Sequence, residues 1–475
     1  RAARVVGLDV CGVDLIADDI AKPLTPGRNG VLELNAAPGL RMHLHPSEGT
    51  PRDVGAAILE TIYPEGAPSR VPVVAITGTN GKTTTTRMVA HTLAASGLTV
   101  GMATTDGVWV DGERVAEGDL TGPYAANLVL SDPVVEAAVL ETARGGIVRR
   151  GLGWDWCDVG VLTNIQADHV GQDGVETVDD LLWVKSLVAE RVREGGTLVL
   201  NADDERLAGL ADAPRVARVP KRVVYFSLHE SSVVVHRHLS RGGTAFFVRD
   251  GTIVEAEGPD EHVVAPVASI PATLGGLAEF HIANALAAVA ACRAVGVARD
   301  EVARALGGFE NNAHNAGRTN LYRVAAGHVL VDYGHNADGY RAICRMMARF
   351  EGRPTTGIVT LPGDRTDEAL VEAARVAAHG FERVVVSEDT DLRGRTRGEL
   401  PRLICDAIRS ERPEVDCQIV ADEAEALDAA IRSMRQGELV VVFYDKLGPI
   451  RDVLERHGAE PATPDALWEP SRMTA

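Results

Sequence analysis

A glycine-rich segment carrying one lysine and several threonines lies near residue 80. Its residues are, in order, Gly78, Thr79, Asn80, Gly81, Lys82, Thr83 and Thr84. The apolar run 71–77 before it predicts a buried parallel strand, and the segment 83–95 after it predicts a helix. Backbone N–H groups and the helix N-terminus would hold a phosphate, Lys82 would reach the terminal phosphates of ATP, and Thr83 would ligate Mg²⁺. The pattern predicts a nucleotide site, with an incidental glycine-rich turn as the alternative.

The loop is shorter than the common phosphate-binding form, because Ile76 stands where the first glycine would be. This short form resembles the Mur ligase family, whose members join an amine to a carboxylate through an acyl phosphate. In that family a strand-end glutamate and a histidine in a Thr-Asn-x-x-x-Asp-His segment bind Mg²⁺, and Glu141 and His169 match them. The resemblance implies two metal ligands, while a solvated acid and a hydrogen-bonded loop histidine are the alternatives.

Lys185 interrupts an otherwise apolar stretch, Leu181 to Val184, at a place where many Mur ligases carry a lysine carbamylated by CO₂ that helps to hold a second Mg²⁺. Arginine could not serve there, because its guanidinium stays protonated and offers no free amine. The whole chain contains five lysines: Lys22, Lys82, Lys185, Lys221 and Lys446. Retention of lysine at position 185 is consistent with the carbamate, whereas a lysine snorkelling from an amphipathic helix is the alternative.

Two further groups of residues resemble the family's adenosine site. His281 and Asn284 are three residues apart on a predicted helix, so they share one face. The resemblance places them beside the adenine. It also implies that Arg318 reaches the ATP phosphates from a third domain and that Asp332 bonds the ribose.

The first 62 residues help to distinguish between families of amide ligase. Glu33 and Asn35 alternate on a predicted strand, so both side chains face one side and could ligate one Mg²⁺. Together with Asp14 they resemble the metal-binding end of an ATP-grasp domain, which precedes the Mur domains in the cyanophycin synthetase family. The segments 140–146, 362–367 and 391–395 also resemble that family.

This resemblance implies specific partners: a cyanophycin or poly-aspartate polymer, arginine, which is attached to aspartate β-carboxylates, and aspartate itself. Aspartate addition would need the part of the ATP-grasp domain that the chain lacks. The cofactors implied are ATP and Mg²⁺, and a homo-oligomer is expected. Four carboxylates could hold a guanidinium or could cap the helices that follow them: Asp364, Asp367, Glu388 and Asp389.

Alternating strand-like and helix-like segments must position these residues. From about residue 70 the alternation predicts a parallel sheet with helices on both faces, residues 223–270 read as short strands, and the last third repeats the alternation. The prediction is an α/β chain with a remnant of an ATP-grasp domain at 1–62. A Mur ligase-like central P-loop domain would follow at 70–310 and a Rossmann-like C-terminal domain at 311–475.

Composition limits the remaining function classes. A net charge of −19 without a basic run argues against nucleic acid, and no apolar run reaches the roughly 18 residues of a membrane span. The chain begins with Arg1 and shows no leader pattern, so we expect a truncated start, and six scattered cysteines fit a reducing cytoplasm. Two rival functions remain open: a Mur or folylpolyglutamate-type ligase for another amino acid, and a nucleotide-binding scaffold without chemistry.

Overall fold

A computed structural model of the protein describes residues 1–67, 69–168, 170–350 and 352–463. The chain divides into two compact units, Arg1–Val71 and Pro72–Ala475. The elements of the first unit are α1 (Ala2–Val6), β1 (Gly12–Ile16), β2 (Gly30–Asn35), α2 (Arg41–Leu44) and α3 (Val54–Ile62). β1 and β2 pair antiparallel with an irregularity after Asp14, and β2 confirms the strand predicted for Glu33 and Asn35.

The first large sheet of the second unit contains eleven strands in the described part of the chain. In chain order they are β3 (Val73–Thr77), β4 (Val100–Thr104), β5 (Gly107–Val110), β6 (Glu113–Glu117), β7 (Ala137–Glu141), β8 (Cys157–Leu162), β9 (Val192–Asn201), β10 (Arg222–Ser227), β11 (Thr244–Arg249), β12 (Thr252–Glu257) and β13 (Asp260–Pro266). Their order across the sheet is β13-β12-β11-β10-β9-β8-β3-β7-β4-β5-β6. The seven strands from β11 to β4 run parallel, which confirms the predicted parallel sheet at the centre.

The sheet departs from the prediction at its two edges. An antiparallel hairpin extends each edge, β5-β6 on one side and β12-β13 on the other. β6 is largely exposed, and three of its five residues are charged, so its sequence lacks the continuous apolar run that identifies the buried central strands. A short helix also interrupts the region 223–270, for which only strands were predicted, because Ser232 caps the N-terminus of residues 233–239.

Helices cover this sheet. They are α4 (Lys82–Ala95), α5 (Pro123–Ser131), α6 (Arg144–Arg150), α7 (Val178–Glu190), α8 (Glu205–Ala208), α9 (Pro214–Ala217), α10 (Val233–Leu239), α11 (Glu279–Val295), α12 (Arg299–Gly307) and α13 (Asn311–His314), with 3-10 turns at Leu210–Asp212, Val267–Ser269 and Pro271–Thr273. α11 is buried over most of its length, and its alanines allow it to lie close against α4. The packing fixes the start of α4, which carries the phosphate loop, against the core.

The second large sheet contains seven strands in the described residues, in the order β18-β17-β16-β19-β15-β14-β20. These are β14 (Asn320–Val324), β15 (Gly327–Asp332), β16 (Thr355–Val359), β17 (Arg383–Val386), β18 (Asp416–Ile419), β19 (Leu439–Phe443) and β20 (Glu460–Pro461). Its helices are α14 (Ala337–Met347), α15 (Asp367–Gly380), α16 (Glu399–Glu411), α17 (Glu423–Arg432) and α18 (Leu447–Arg456). Five strands run parallel as predicted, and β14 and β20 add an antiparallel edge. No helix in the described ranges is both long and apolar enough to cross a membrane.

Candidate active site

The phosphate loop follows β3, whose neighbours in the sheet are β7 and β8. Ligands of open α/β sheets bind outside the carboxyl ends of such strands. Gly81 has a φ of 86° and directly precedes α4, and a Cβ there would lie 2.2 Å from Oδ1 of Asn284. Glycine at this position therefore meets two requirements, a left-handed backbone and close contact with α11.

The segment after β8 holds the loop in place. The N–H groups of Thr79 and Asn80 donate to the backbone and side-chain oxygens of Asn164, at 2.8 and 2.9 Å. Thr163 Oγ1 donates to the Asn80 carbonyl at 2.6 Å, and the Asn80 side chain donates to Gln166 at 2.8 Å. These bonds fix the loop, so the N-terminus of α4 is presented to the cavity.

Two oxygen ligands stand side by side next to the loop. Thr83 Oγ1 donates to a Glu141 carboxylate oxygen at 3.0 Å, and Glu141 also accepts from the N–H and hydroxyl of Thr105. Glu141 is only 3% exposed. A hydroxyl and a carboxylate suit Mg²⁺, which usually keeps several waters and takes its other ligands from phosphate oxygens. His169, the other predicted metal ligand, lies outside the described residues.

Both lysines named from the sequence lie at this loop. The Lys82 ammonium, half-buried, donates to the Thr79 carbonyl at 2.9 Å. The Lys185 side chain is 3% exposed, and its Nζ lies 2.5 Å from the Gly78 carbonyl oxygen. Burial, reinforced by the positive charge of Lys82, holds the pKa of Lys185 well below its usual range. Lys185 can therefore present a neutral amine, which is the form that reacts with CO₂.

A line of hydrogen bonds joins the two sheets at the predicted adenosine end. Asn284 Nδ2 lies 3.3 Å from His281 Nδ1, and His281 Nε2 lies 3.0 Å from Thr319 Oγ1. The N–H and hydroxyl of Thr319 each donate to Asp332 at 2.8 Å. Burial lowers the pKa of His281 to about 3, so a neutral imidazole can donate from Nε2 to Thr319. Burial also raises the pKa of Asp332.

Thr319 was missed in the sequence, although it lies next to Arg318. It is fully buried and has a φ of 53°, a conformation that costs a β-branched residue about 1–3 kcal/mol. No spacing pattern signals such a residue. Its backbone is held by the contacts on either side, to His281 of α11 and to Asp332 at the end of β15.

Two arginines lie between α4 and the start of the second sheet. Arg318 Nη2 lies 3.5 Å from Thr83 Oγ1, and its guanidinium stands over the Tyr333 ring at 4.1 Å. Arg87 of α4 donates to the Ala316 carbonyl at 3.0 Å and pairs with Asp106 at 2.5 Å. The segment 311–317, which precedes the second sheet, is therefore bound to α4 in this conformation.

Asp168 is a second residue that the sequence did not single out. Asp168 is 6% exposed. Its carboxylate contacts three residues from the part of the second unit that contains the second large sheet. Arg365 donates to it at 2.8 Å, Asn336 at 3.2 Å, and His335 Nε2 lies 3.3 Å away. Asn336 also donates to the Asn80 side chain at 3.1 Å, so the two halves are closed around the phosphate loop.

Two adjoining cavities occupy the space between the sheets. One of about 370 Å³ is lined by the phosphate loop, Glu141, His281, Asn284, Arg318 and Asp332, so the described predicted residues of the nucleotide site lie around one space. The second, of about 510 Å³, begins at Thr79 and Lys82 and extends past Lys185 to α6. A nucleotide in the first cavity would place its terminal phosphate at the entrance to the second.

The predicted metal ligands near the N-terminus belong to the other unit. Asp14 and Glu33 face each other across the β1-β2 pair, Asn35 lies opposite Gly12, and both carboxylates are exposed. Opposed residues of an antiparallel pair share a face, so Asp14 and Glu33 lie on the same side of the ribbon. Within the described residues no group of three or more His, Cys, Asp and Glu side chains is arranged to hold a metal ion.

The carboxylates considered for a substrate guanidinium have partners within the chain. Asp364 contacts Arg365 and Arg393, and Asp389 pairs with Arg393 at 3.8 Å. The other two pairs are Asp367 with Arg395 and Glu388 with Arg397. Glu388 also accepts the N–H of Gly398, the N-cap of α16, which agrees with the helix-capping alternative. Asp445 lies beside Asp389, and burial with this neighbour raises the pKa of Asp445 to about 6.

Comparison with known families matches two models to this second unit. The Mur ligase middle domain matches residues 76–292, and the glutamate ligase domain of Mur ligases, their C-terminal domain, matches residues 317–443. The two models fall on the two large sheets, and the gap between them contains the segment bound to Arg87.

The chain is also similar to individual proteins. It is 43% identical to the cyanophycin synthetase of Crocosphaera subtropica over 448 residues, which are 94% of this chain and 51% of that protein. The chain therefore spans about half the length of the curated relatives it matches. Among solved structures, it resembles MurF from Acinetobacter baumannii (TM-score 0.57, 16% identity, 82% of this chain and 77% of that one). It also resembles the folylpolyglutamate synthase of Mycobacterium tuberculosis, with a TM-score of 0.56 and 18% identity over 86% of this chain and 95% of that one.

Proposed function

Because the chain belongs to the Mur ligase family, we propose that it is an ATP-dependent amide ligase that attaches arginine to the aspartate β-carboxylates of a poly-aspartate backbone, the chemistry of cyanophycin synthesis. The observation that carries the proposal is the convergence of Lys82, Glu141, Arg318 and Asp332 on one cavity between two sheets. The high identity to cyanophycin synthetases, which extends over nearly the whole chain, favours this ligase over one for another amino acid.

In the proposed reaction a β-carboxylate oxygen attacks the γ-phosphorus of ATP, and the bond to the ADP oxygen breaks. The products of this step are an acyl phosphate and ADP. The arginine α-amine then forms a bond to the acyl carbon, phosphate leaves, and the nitrogen loses a proton. The amine must be unprotonated to attack, so a base or desolvation is required.

The residues have distinct roles in this proposal. Lys82 and the N–H groups at the start of α4 stabilise the phosphoryl charge, and Arg318 adds positive charge from the other sheet. Thr83, Glu141 and His169 would hold Mg²⁺, which when bound neutralises charge on the phosphate oxygens. His281 and Asn284 border the adenine, and Asp332 accepts from the ribose.

Closure of the two halves completes this site. Asp168 connects the segment after β8 to Asn336 and Arg365, which belong to the other half. Since charges in a water-excluded site interact more strongly, closure strengthens the contacts to the phosphates and protects an acyl phosphate from hydrolysis. We infer that the segment 311–317 is the hinge, with a central domain at 70–310 and a C-terminal domain at 311–475.

For the first unit we propose the end of an ATP-grasp domain, covering residues 1–62, in which Asp14, Glu33 and Asn35 hold Mg²⁺. Aspartate addition to the backbone would then belong to the complete ATP-grasp domain. A homo-oligomer is part of the same proposal, and neither a nucleic acid nor a membrane is a proposed partner.

Phosphate release from ATP tests the proposed function. The purified chain is supplied with Mg²⁺ and a poly-aspartate primer bearing free β-carboxylates, together with arginine, lysine, glutamate or no amino acid. We expect release that requires both primer and arginine. Equal release with glutamate would favour the rival ligase, and ATP binding without release under any condition would favour the scaffold.

Lys185 gives a separate prediction, because its lowered pKa and its contact with the loop suit carbamylation. We expect activity to fall when CO₂ is removed from the buffer and to return with bicarbonate, and ¹³C-bicarbonate to give a carbamate NMR signal. Lys185→Arg should lose the signal and about 10- to 100-fold in turnover, as expected for a lost residue that supports a metal. The control is Lys221→Arg, because Lys221 is partly buried and lies outside the two cavities. Full activity of Lys185→Arg with an unchanged CO₂ response would contradict the carbamate.

A further inference from the structure

A buried arginine, Arg144, lines the larger cavity. Arg144 opens α6 and is 5% exposed, and its side chain lines the cavity. Its terminal nitrogens contact Gln172 and Asp173, but among the residues that the structure describes its Nε has no hydrogen-bond partner. Leaving a buried charged donor unsatisfied is costly, so an acceptor that reached this Nε from the cavity would be stabilised there. Arg144 therefore marks a place for an anionic group beside the phosphate loop.

Two further arginines lie between Arg144 and the mouth of the cavity. Arg149 and Arg150, in the last turn of α6, both line the cavity and both are exposed. Arg149 shares Asp173 with Arg144, so one carboxylate serves two guanidinium groups. This positive surface stands out in a chain of net charge −19. It can hold several carboxylates at once.

The floor of the cavity leaves room for a polymer backbone. A Cβ added at Gly145 would meet no atom within 4 Å, so the open space reaches the main chain of α6. Gly146 lies against the loop 119–123 instead, where a Cβ would be 2.9 Å from the Thr121 carbonyl. α6 is thereby anchored on one side and open on the other.

We propose that Arg144, Arg149 and Arg150 form the binding site for the acceptor, a chain bearing several neighbouring carboxylates, with the reacting β-carboxylate held at Arg144 and adjacent ones at Arg149 and Arg150. The identification of the acceptor as poly-aspartate rests on the proposed function. It deepens that function, because the cavity connects these arginines with Lys82 and so directs the held carboxylate toward the transferred phosphate. Arginine suits this role because its planar fork binds carboxylates in two-point fashion.

Direct binding tests the site without requiring turnover. Fluorescein-labelled poly-aspartate of about ten residues is titrated with the wild-type chain, with Arg149→Gln/Arg150→Gln, and with Arg237→Gln, which removes an exposed arginine of α10. Because the double variant loses two partly exposed ion pairs, we expect its Kd to rise about tenfold. The control should bind like wild type, and labelled poly-asparagine should bind none of the three.

Kinetics then separate this inference from the proposed function. In the double variant the KM for the primer should rise while the KM for ATP stays unchanged, and Arg144→Lys should lower kcat more than Arg149→Gln does. Equal Kd values for the double and control variants, or no binding of poly-aspartate to wild type, would overturn the site. If poly-aspartate binds through these arginines but no arginine-dependent phosphate release is found, the acceptor site stands and the proposed function fails.

Discussion

Lys82→Met is expected to abolish most of the phosphate release while leaving the fold intact. Lys82 is the positive side chain of the phosphate loop, and its Nζ, now on the Thr79 carbonyl, lies at the junction of both cavities. Methionine has nearly the same length but no charge. Removing one charge-stabilising donor from a transition state costs about a hundredfold to a thousandfold in kcat, so we expect a loss of that size.

The measurement is phosphate release at saturating ATP, with ATP affinity and melting temperature determined for the same preparations. Lys22→Met removes an exposed lysine of the first unit and should leave all three values unchanged. Because the loop backbone is fixed by Asn164 and Gln166, ATP should still bind to Lys82→Met, although more weakly. Wild-type turnover in Lys82→Met would contradict the assigned role of the loop.

Local sequence patterns predicted the strand and the helix that flank the phosphate loop. The phosphate loop joins a buried strand to a helix, and Glu141 ends a strand that pairs with β3, so the sheet register brings both together. Parallel central strands are buried on both faces and leave continuous apolar runs, which are easily recognised. The edge hairpins were missed because partly exposed strands carry no such run.

Contacts between residues far apart in the chain could not be predicted from the sequence. Arg365 and Asp168 are 197 residues apart, and neither lies in a pattern that names the other. Thr319 is likewise defined by its backbone conformation and by its two neighbours in space, His281 and Asp332. Such residues depend on how the two large sheets and their helices pack, which no local periodicity encodes. The sequence shows the three arginines of α6 but not the cavity that they line together.

Glu141→Gln should raise the Mg²⁺ concentration needed for half-maximal turnover at least about tenfold and lower kcat about a hundredfold. Glutamine keeps an oxygen that can accept from the Thr83 hydroxyl and the Thr105 N–H, so the fold should persist, but it lacks the negative charge that attracts the cation. The experiment is phosphate release titrated with Mg²⁺ at fixed ATP. Glu136→Gln, at the opposite end of β7, is the matched control and should titrate like wild type. An unchanged Mg²⁺ titration for Glu141→Gln would remove Glu141 from the metal site and leave it as a buried acceptor that positions Thr83.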